Sequence, residues 1–113
     1  MKNVVALLNR IGNLIGGNVA MQKVTTNYGI SVYYKKICGV RIVHIEGNPS
    51  GQIGTSGHTF ALNSAIVDSD PYYRVVTQAV TANNNYTISL QNNTVKITPN
   101  TAATAYVNAT FVY

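Results

Sequence analysis

Alternation at a period of two is the feature that leaves this chain the fewest folds. Tyr86, Ile88 and Leu90 alternate with Thr87 and Ser89, and Val95 and Ile97 alternate with Thr94, Lys96 and Thr98. Successive side chains of a strand point to opposite faces, so each segment carries one apolar and one polar face. Asn92-Asn93 between them can form a two-residue turn, because asparagine tolerates the left-handed backbone that tight hairpins need. The same period runs through Ile30, Val32 and Tyr34, set against Ser31, Tyr33 and Lys35. Ile37-Cys38-Gly39 reads as the turn that follows, with Gly39 free to take a positive φ. Val40 to Ile45 is the return strand, with Val40, Ile42 and His44 on one face and Arg41, Val43 and Ile45 on the other. Both faces are largely apolar, so this strand is expected to be central or covered by a neighbouring subunit.

The remaining segments extend the pattern. Residues 47–57 form a Gly/Ser-rich loop, His58 to Leu62 a short strand, and Asp68-Ser69-Asp70-Pro71 an irregular stretch. Tyr72 to Val80 is expected to be a strand ended by Thr81-Ala82-Asn83-Asn84-Asn85. Pro99 to Ala103 is a turn, and Ala105, Val107, Ala109, Phe111 and Tyr113 line the inner face of a last strand. Short strands at this spacing predict an all-β fold, an antiparallel β-sandwich or barrel.

The start of the chain follows a different period. Val4, Leu7, Leu8, Ile11, Leu14 and Ile15 recur at three and four, one apolar stripe of a short N-terminal α-helix capped by Asn3 and ended by Gly16-Gly17. A heptad frame places Val4 and Ile11 at a, and Leu7 and Leu14 at d. So short a helix is marginal alone in water. Two readings stand open: it packs on its own domain, or Val4, Leu7, Ile11 and Leu14 form an oligomer interface. Residues 1–23 are therefore assigned to the helix and a linker, and residues 24–113 to a β domain.

Composition narrows the partners. Apolar residues make up 46% of the 113 and charged residues only 10%, well under the usual quarter. Asn, Thr, Ser and Tyr must cover the surface instead, as on proteins that self-assemble or meet sugars. The net charge is +5, but the basic residues are scattered, and only Lys35-Lys36 with Arg41 approaches the clustered stripe of a nucleic-acid binder. Nucleic acid is thus not an expected partner. The apolar run after Met1-Lys2 stops at Asn9-Arg10, short of a signal peptide's core, and no segment reaches the roughly 20 apolar residues of a membrane span. Synthesis in the cytosol, away from membranes, is expected.

Candidate chemistry is sparse. Cys38 is the single cysteine, so no disulfide, Cys-based zinc site or paired-thiol redox motif can form within the chain. Asp68 and Asp70 lie two apart in a loop and read as turn caps, not as the facing carboxyls of a hydrolase. His44, in an apolar strand, reads as a buried histidine with satisfied nitrogens. Only folding could bring His58 beside Asp68 and Asp70. No catalytic residue, cofactor or metal is assigned. Binding has more to work with: Tyr33-Tyr34 and Tyr72-Tyr73 each put one ring on either face of a strand. Asp68, Asp70, Tyr72, Tyr73 and Arg74 gather rings, acceptors and a fork donor in one stretch, and with His58 they form the candidate ligand set. Such a mixture suits a sugar, a protein contact or a plain sheet edge.

The run Tyr33-Tyr34-Lys35-Lys36-Ile37-Cys38-Gly39-Val40-Arg41-Ile42-Val43-His44-Ile45-Glu46-Gly47 resembles the opening hairpin of C-terminal domains in bacteriophage tail-fibre and baseplate receptor-binding proteins. Tyr86 to Leu90, the Asn92-Asn93 turn, Val95-Lys96-Ile97 and the closing Phe111-Val112-Tyr113 are similar to the end of those domains. The likeness covers residues 28–113. In its middle, Asp70-Pro71-Tyr72-Tyr73 stands where many relatives carry a Leu-Pro…Pro stretch, which puts the ligand site outside the shared pattern. The resemblance implies a homotrimeric, non-catalytic head on the virion that binds host cell-surface saccharide or protein, joined to other tail or capsid proteins. A purely structural virion component, decorating a capsid or assembling a fibre, is the alternative, and it predicts symmetry without a ligand.

Overall fold

The computed structural model describes residues 2–14 and 21–113, with helix side chains described for residues 3–8 and 10. Among the described residues one helix, α1 (Lys2–Leu14), precedes eight strands: β1 (Gln22–Thr25), β2 (Ser31–Ile37), β3 (Val40–Gly47), β4 (His58–Ala61), β5 (Arg74–Thr81), β6 (Asn84–Gln91), β7 (Thr94–Pro99) and β8 (Val107–Val112). They form two antiparallel sheets, ordered β1-β2-β3-β8 and β4-β7-β6-β5. The fold is an all-β sandwich with a short N-terminal helix, as the alternation predicts.

Local chemistry sets the register. The β2–β3 turn places Cys38 at φ 49° and Gly39 at φ 81°, and the β6–β7 turn places Asn92 and Asn93 at 49° and 59°. Two positive φ values in a row twist with the flanking strands, as primed hairpin turns do. Pairing then follows, Ile37 opposite Val40 and Gln91 opposite Thr94. Val32, Tyr34, Val43, Ile45, Tyr86, Ile88, Leu90, Val95, Ile97, Val107 and Phe111 meet in one core between the sheets. Each fully buried side chain of this kind contributes roughly 1.5–3 kcal/mol, so these inner faces dominate stability. Tyr86, wholly buried, donates its hydroxyl to the Ala105 carbonyl at 2.8 Å.

A smaller core lies on the outer face of the first sheet. Met21, Ile37 and Ile42 are buried there, with Val5 and Leu8 of α1 and Tyr33 packed against them. Strand β3 is thus central and covered from both sides, on the outside partly by its own helix. Leu7 stays exposed and Val4 half-buried; the side chains of Ile11 and Leu14, and the Gly16-Gly17 stop, lie outside the described residues. The boundary between residues 23 and 24 falls inside β1, which pairs with β2 along its whole length. Sequence alternation missed β1 because all four of its residues are exposed.

Both seams of the sandwich are closed by side chains. Arg41 and Tyr113 exchange both backbone hydrogen bonds, 2.7 and 2.9 Å, so by antiparallel alternation Asn108 turns its N–H away from β3. Gln78 of β5 receives that N–H at 2.7 Å and donates its own amide to the Tyr106 carbonyl at 2.6 Å. At the other seam Tyr28 packs edge-on against His58 with ring centroids 4.5 Å apart, and His58 against Phe60 at 5.3 Å. Gly57, at φ 88°, lets β4 start close against its neighbour β7, since a Cβ there would sit 2.9 Å from Lys96 Cε and Thr98 Oγ1. Gln78→Ala removes two hydrogen bonds that close the β5–β8 seam and is expected to cost about 1–2 kcal/mol, read as a lower urea midpoint with an unchanged slope.

Candidate functional site

At the end of the sandwich that holds the two hairpin turns, the connection from β4 to β5 folds over the strands. Asn93 donates to the Val67 carbonyl, Asn92 N–H to the Asp70 carbonyl at 2.9 Å, and Gln91 Nε2 to the Pro71 carbonyl at 3.0 Å. These bonds moor the segment carrying Asp68, Asp70, Tyr72 and Tyr73 to the β6–β7 hairpin. Asp70 accepts the Tyr72 N–H at 2.8 Å, a turn that aspartate forms with the residue two ahead. The expected cap is present at Asp70; Asp68 instead takes ion-pair partners from the first sheet.

The charges pair as two forks. Arg74 donates Nη1 and Nη2 to the two oxygens of Asp70 at 3.0 and 3.2 Å. Arg41 donates Nε to Asp68 Oδ1 at 3.0 Å and Nη2 to its other oxygen, and Lys36 adds a contact at 3.2 Å. Tyr113 lies between the arginines, its ring centre 4.2 Å from Arg74 and 5.5 Å from Arg41. Tyr72 is 5.9 Å from the Arg74 guanidinium. The hydrogen bonds from Arg41 and then Lys36 hold the Asp68 carboxyl far below the usual carboxylate range, and Arg74 followed by the Tyr72 N–H lowers Asp70. Burial raises Tyr113, against the pull of the two arginines. The exposed Lys36–Asp68 pair contributes little to stability, whereas the part-buried Asp70–Arg74 fork holds the turn that carries Tyr72.

Tyr72 and Tyr73 are 71% and 60% exposed, so both rings face solvent. One of the two was expected to point inward, on the premise of a strand from Tyr72. Strand β5 begins at Arg74, so pleat alternation does not reach the pair. Tyr34 and Tyr33 do obey it: Tyr34 is in the core, its hydroxyl accepting the Asn63 N–H at 3.3 Å, and Tyr33 is half-buried on the outer face.

Five of the six ligand candidates, Asp68, Asp70, Tyr72, Tyr73 and Arg74, thus share one end of the molecule, and His58 does not. His58 lies on edge strand β4, while Arg74 opens β5 at the opposite edge of the same sheet. Three strand spacings, about 14 Å, separate those edges. Lys36, Arg41 and Tyr113 join those five candidates from outside their stretch of sequence. A signal existed: a two-residue turn at Cys38-Gly39 forces Lys36 opposite Arg41. Lys35 turns to the other face and is buried, so no basic stripe forms there.

His44 is fully buried, Nδ1 at 2.7 Å from Thr110 Oγ1 and Nε2 at 3.4 Å from Glu46, which also accepts the Tyr106 hydroxyl at 3.3 Å. Both ring nitrogens are satisfied. Among the described residues no group of three or more His, Cys, Asp or Glu could hold a metal ion, and no helix is long and apolar enough to cross a membrane. No family model, no curated protein and no solved structure matches the chain.

Titration separates the two regions. His58 Nε2 is buried without a hydrogen-bond partner, and burial lowers its pKa. Its unfolded pKa is near 6.5, so the unfolded chain binds the extra proton first as pH falls, and stability declines below that value. Asp68 and Asp70, lowered in the fold, lose their favourable contribution only at more acid pH, below the ordinary carboxylate range. His58→Phe keeps the ring contacts without the titration. Urea midpoints at pH 7 and pH 5 should therefore differ less for this variant than for the parent chain, and an equal fall in both would assign the decline to other groups.

Proposed function

We propose that the chain is the head of a bacteriophage tail-tip or related virion protein, assembled as a homotrimer, that binds a host cell-surface saccharide or protein without catalysis. The observation that carries this reading is the exposed Tyr72-Tyr73 pair, with Tyr72 tied to the Asp70–Arg74 fork. Aromatic rings offer flat apolar surface at small entropic cost, and the carboxylates and guanidinia beside them can bond ligand hydroxyls or amides. The resemblance at Tyr33 to Gly47 and at the closing strands supplies the viral setting, and the low surface charge agrees with subunits that pack against one another.

The trimer draws on the helix. Val5 and Leu8 are already used by the chain's own sheet, whereas Leu7 points into solvent. On a helical wheel the Val4/Leu7 stripe lies roughly a quarter turn or more from the Val5/Leu8 stripe, so one helix can serve both its domain and a partner.

Two measurements test the reading. Light scattering is expected to give three times the chain mass. Leu7→Ser should dissociate the assembly with strand content intact, whereas Leu8→Ala should cost about 1–2 kcal/mol of stability, less than a fully buried leucine would. A monomer for the parent chain removes the trimer. Binding to bacterial cells or a glycan array should fall at least tenfold for Tyr72→Ala, Tyr73→Ala and Arg74→Ala, the loss expected of interface hot spots at about 1.4 kcal/mol or more each. Unchanged binding in all three would move the site elsewhere. Trimers that bind no cell or glycan would favour the structural virion component.

A further inference from the structure

We propose that a depression at the other end of the second sheet is a separate binding site for a neutral polyhydroxylated ligand, such as one hexose unit of an oligosaccharide. Its volume is about 410 Å³, and its lining is mostly polar, from Thr77, Thr81, Asn83, Asn84, Asn85 and Asn100, with two alanines between them. That volume falls within the range of small-molecule sites. Along β5 its lining runs from three to seven residues beyond Arg74, about 10 to 23 Å; it shares no residue with the tyrosine-bearing end and does not rest on the reading given for it.

The walls of the depression are held in place. Asn84 donates its side-chain amide to the Thr101 carbonyl at 3.0 Å and accepts the Thr101 N–H at 3.1 Å. Asn100 N–H reaches the Asn85 carbonyl at 3.2 Å. The segment after β7 is thereby clamped beside the start of β6, with Asn83 and Asn100 exposed on either side. Pairing of β5 with β6 shifts register between Ala79 and Thr81, and such irregularities bend a strand and re-aim its side chains. From Thr77 a cross-strand row of hydroxyls continues through Thr87 to Thr98, at the spacing of neighbouring strands.

The lining selects the ligand class. Carboxamides and hydroxyls offer paired donors and acceptors, which match adjacent sugar hydroxyls. No lining residue is charged, so nothing there compensates a carboxylate, sulfate or phosphate. No ring lines it either, and Ala79 and Ala82 are its only apolar lining residues, so affinity comes mainly from hydrogen bonds and falls near the millimolar range.

The test is an NMR titration of the full chain, following backbone amides, with lactose, maltose and N,N′-diacetylchitobiose as probes and glucuronic acid as the charged comparison. At least one neutral disaccharide is expected to give saturable shifts at residues 83–85 and 100. The exposed pair Asn83→Ala and Asn100→Ala should together weaken it about tenfold, with the remaining spectrum confirming the fold. The Tyr72→Ala/Tyr73→Ala chain should keep the shifts in full. The proposal fails if none of the three disaccharides shifts these residues up to about 50 mM, well above a millimolar Kd. It fails equally if the double asparagine variant binds as before, if glucuronic acid binds as well, or if the tyrosine variant loses the effect.

Discussion

Pairing register, set by two-residue left-handed turns, is the constraint from which the rest of this structure follows. At Cys38-Gly39 and Asn92-Asn93 the backbone reverses with both central residues at positive φ, which leaves one pairing for each hairpin. A slip of one residue would turn Val32, Tyr34, Val43 and Ile45 outward and bring Lys35 and His44 into the core. The same turn places Lys36 opposite Arg41, and so delivers both cations that bind Asp68. Packing and the candidate site therefore share one cause: the turn that buries the apolar face also builds half of the charged platform.

Two kinds of side chain then complete the sandwich. Apolar residues supply the stabilisation, while a few polar ones close the margins where sheets end. Gln78 stands in for a strand partner at the β8 edge, and the Tyr28–His58–Phe60 stack fills the opposite seam. The remaining polar bonds moor loops: Asn92, Asn93 and Gln91 hold residues 67–71 against the second hairpin. A tyrosine pair on an unanchored loop would lose conformational entropy on binding; here most of that ordering is already present in the fold.

Much of this was legible in the sequence, and the failures have physical reasons. Alternation located β2, β3, β6, β7 and β8, because each has one face in the core. It missed β1, whose residues are all exposed, and it began β5 two residues early, because Tyr72 and Tyr73 read as strand formers while Asp70 bends the chain into a turn. Proximity in sequence placed Asp68 to Arg74 at one end of the molecule. It could not deliver Tyr113, which arrives beside Arg41 where β8 runs along β3, nor exclude His58, whose distance depends on strand order β4-β7-β6-β5. Strand order is decided by packing of whole sheets, which no local pattern encodes.

The central claim is that the molecule meets its target with the tyrosine-bearing end. Hydrogen–deuterium exchange, with and without saturating cell-surface polysaccharide from a bacterium to which the chain binds, tests it most directly. Slower exchange is expected in residues 36–41 and 67–74, with the β1 edge and the middle of β6 unchanged. Protection confined to other segments, or a complex with no protection at that end, would contradict the account.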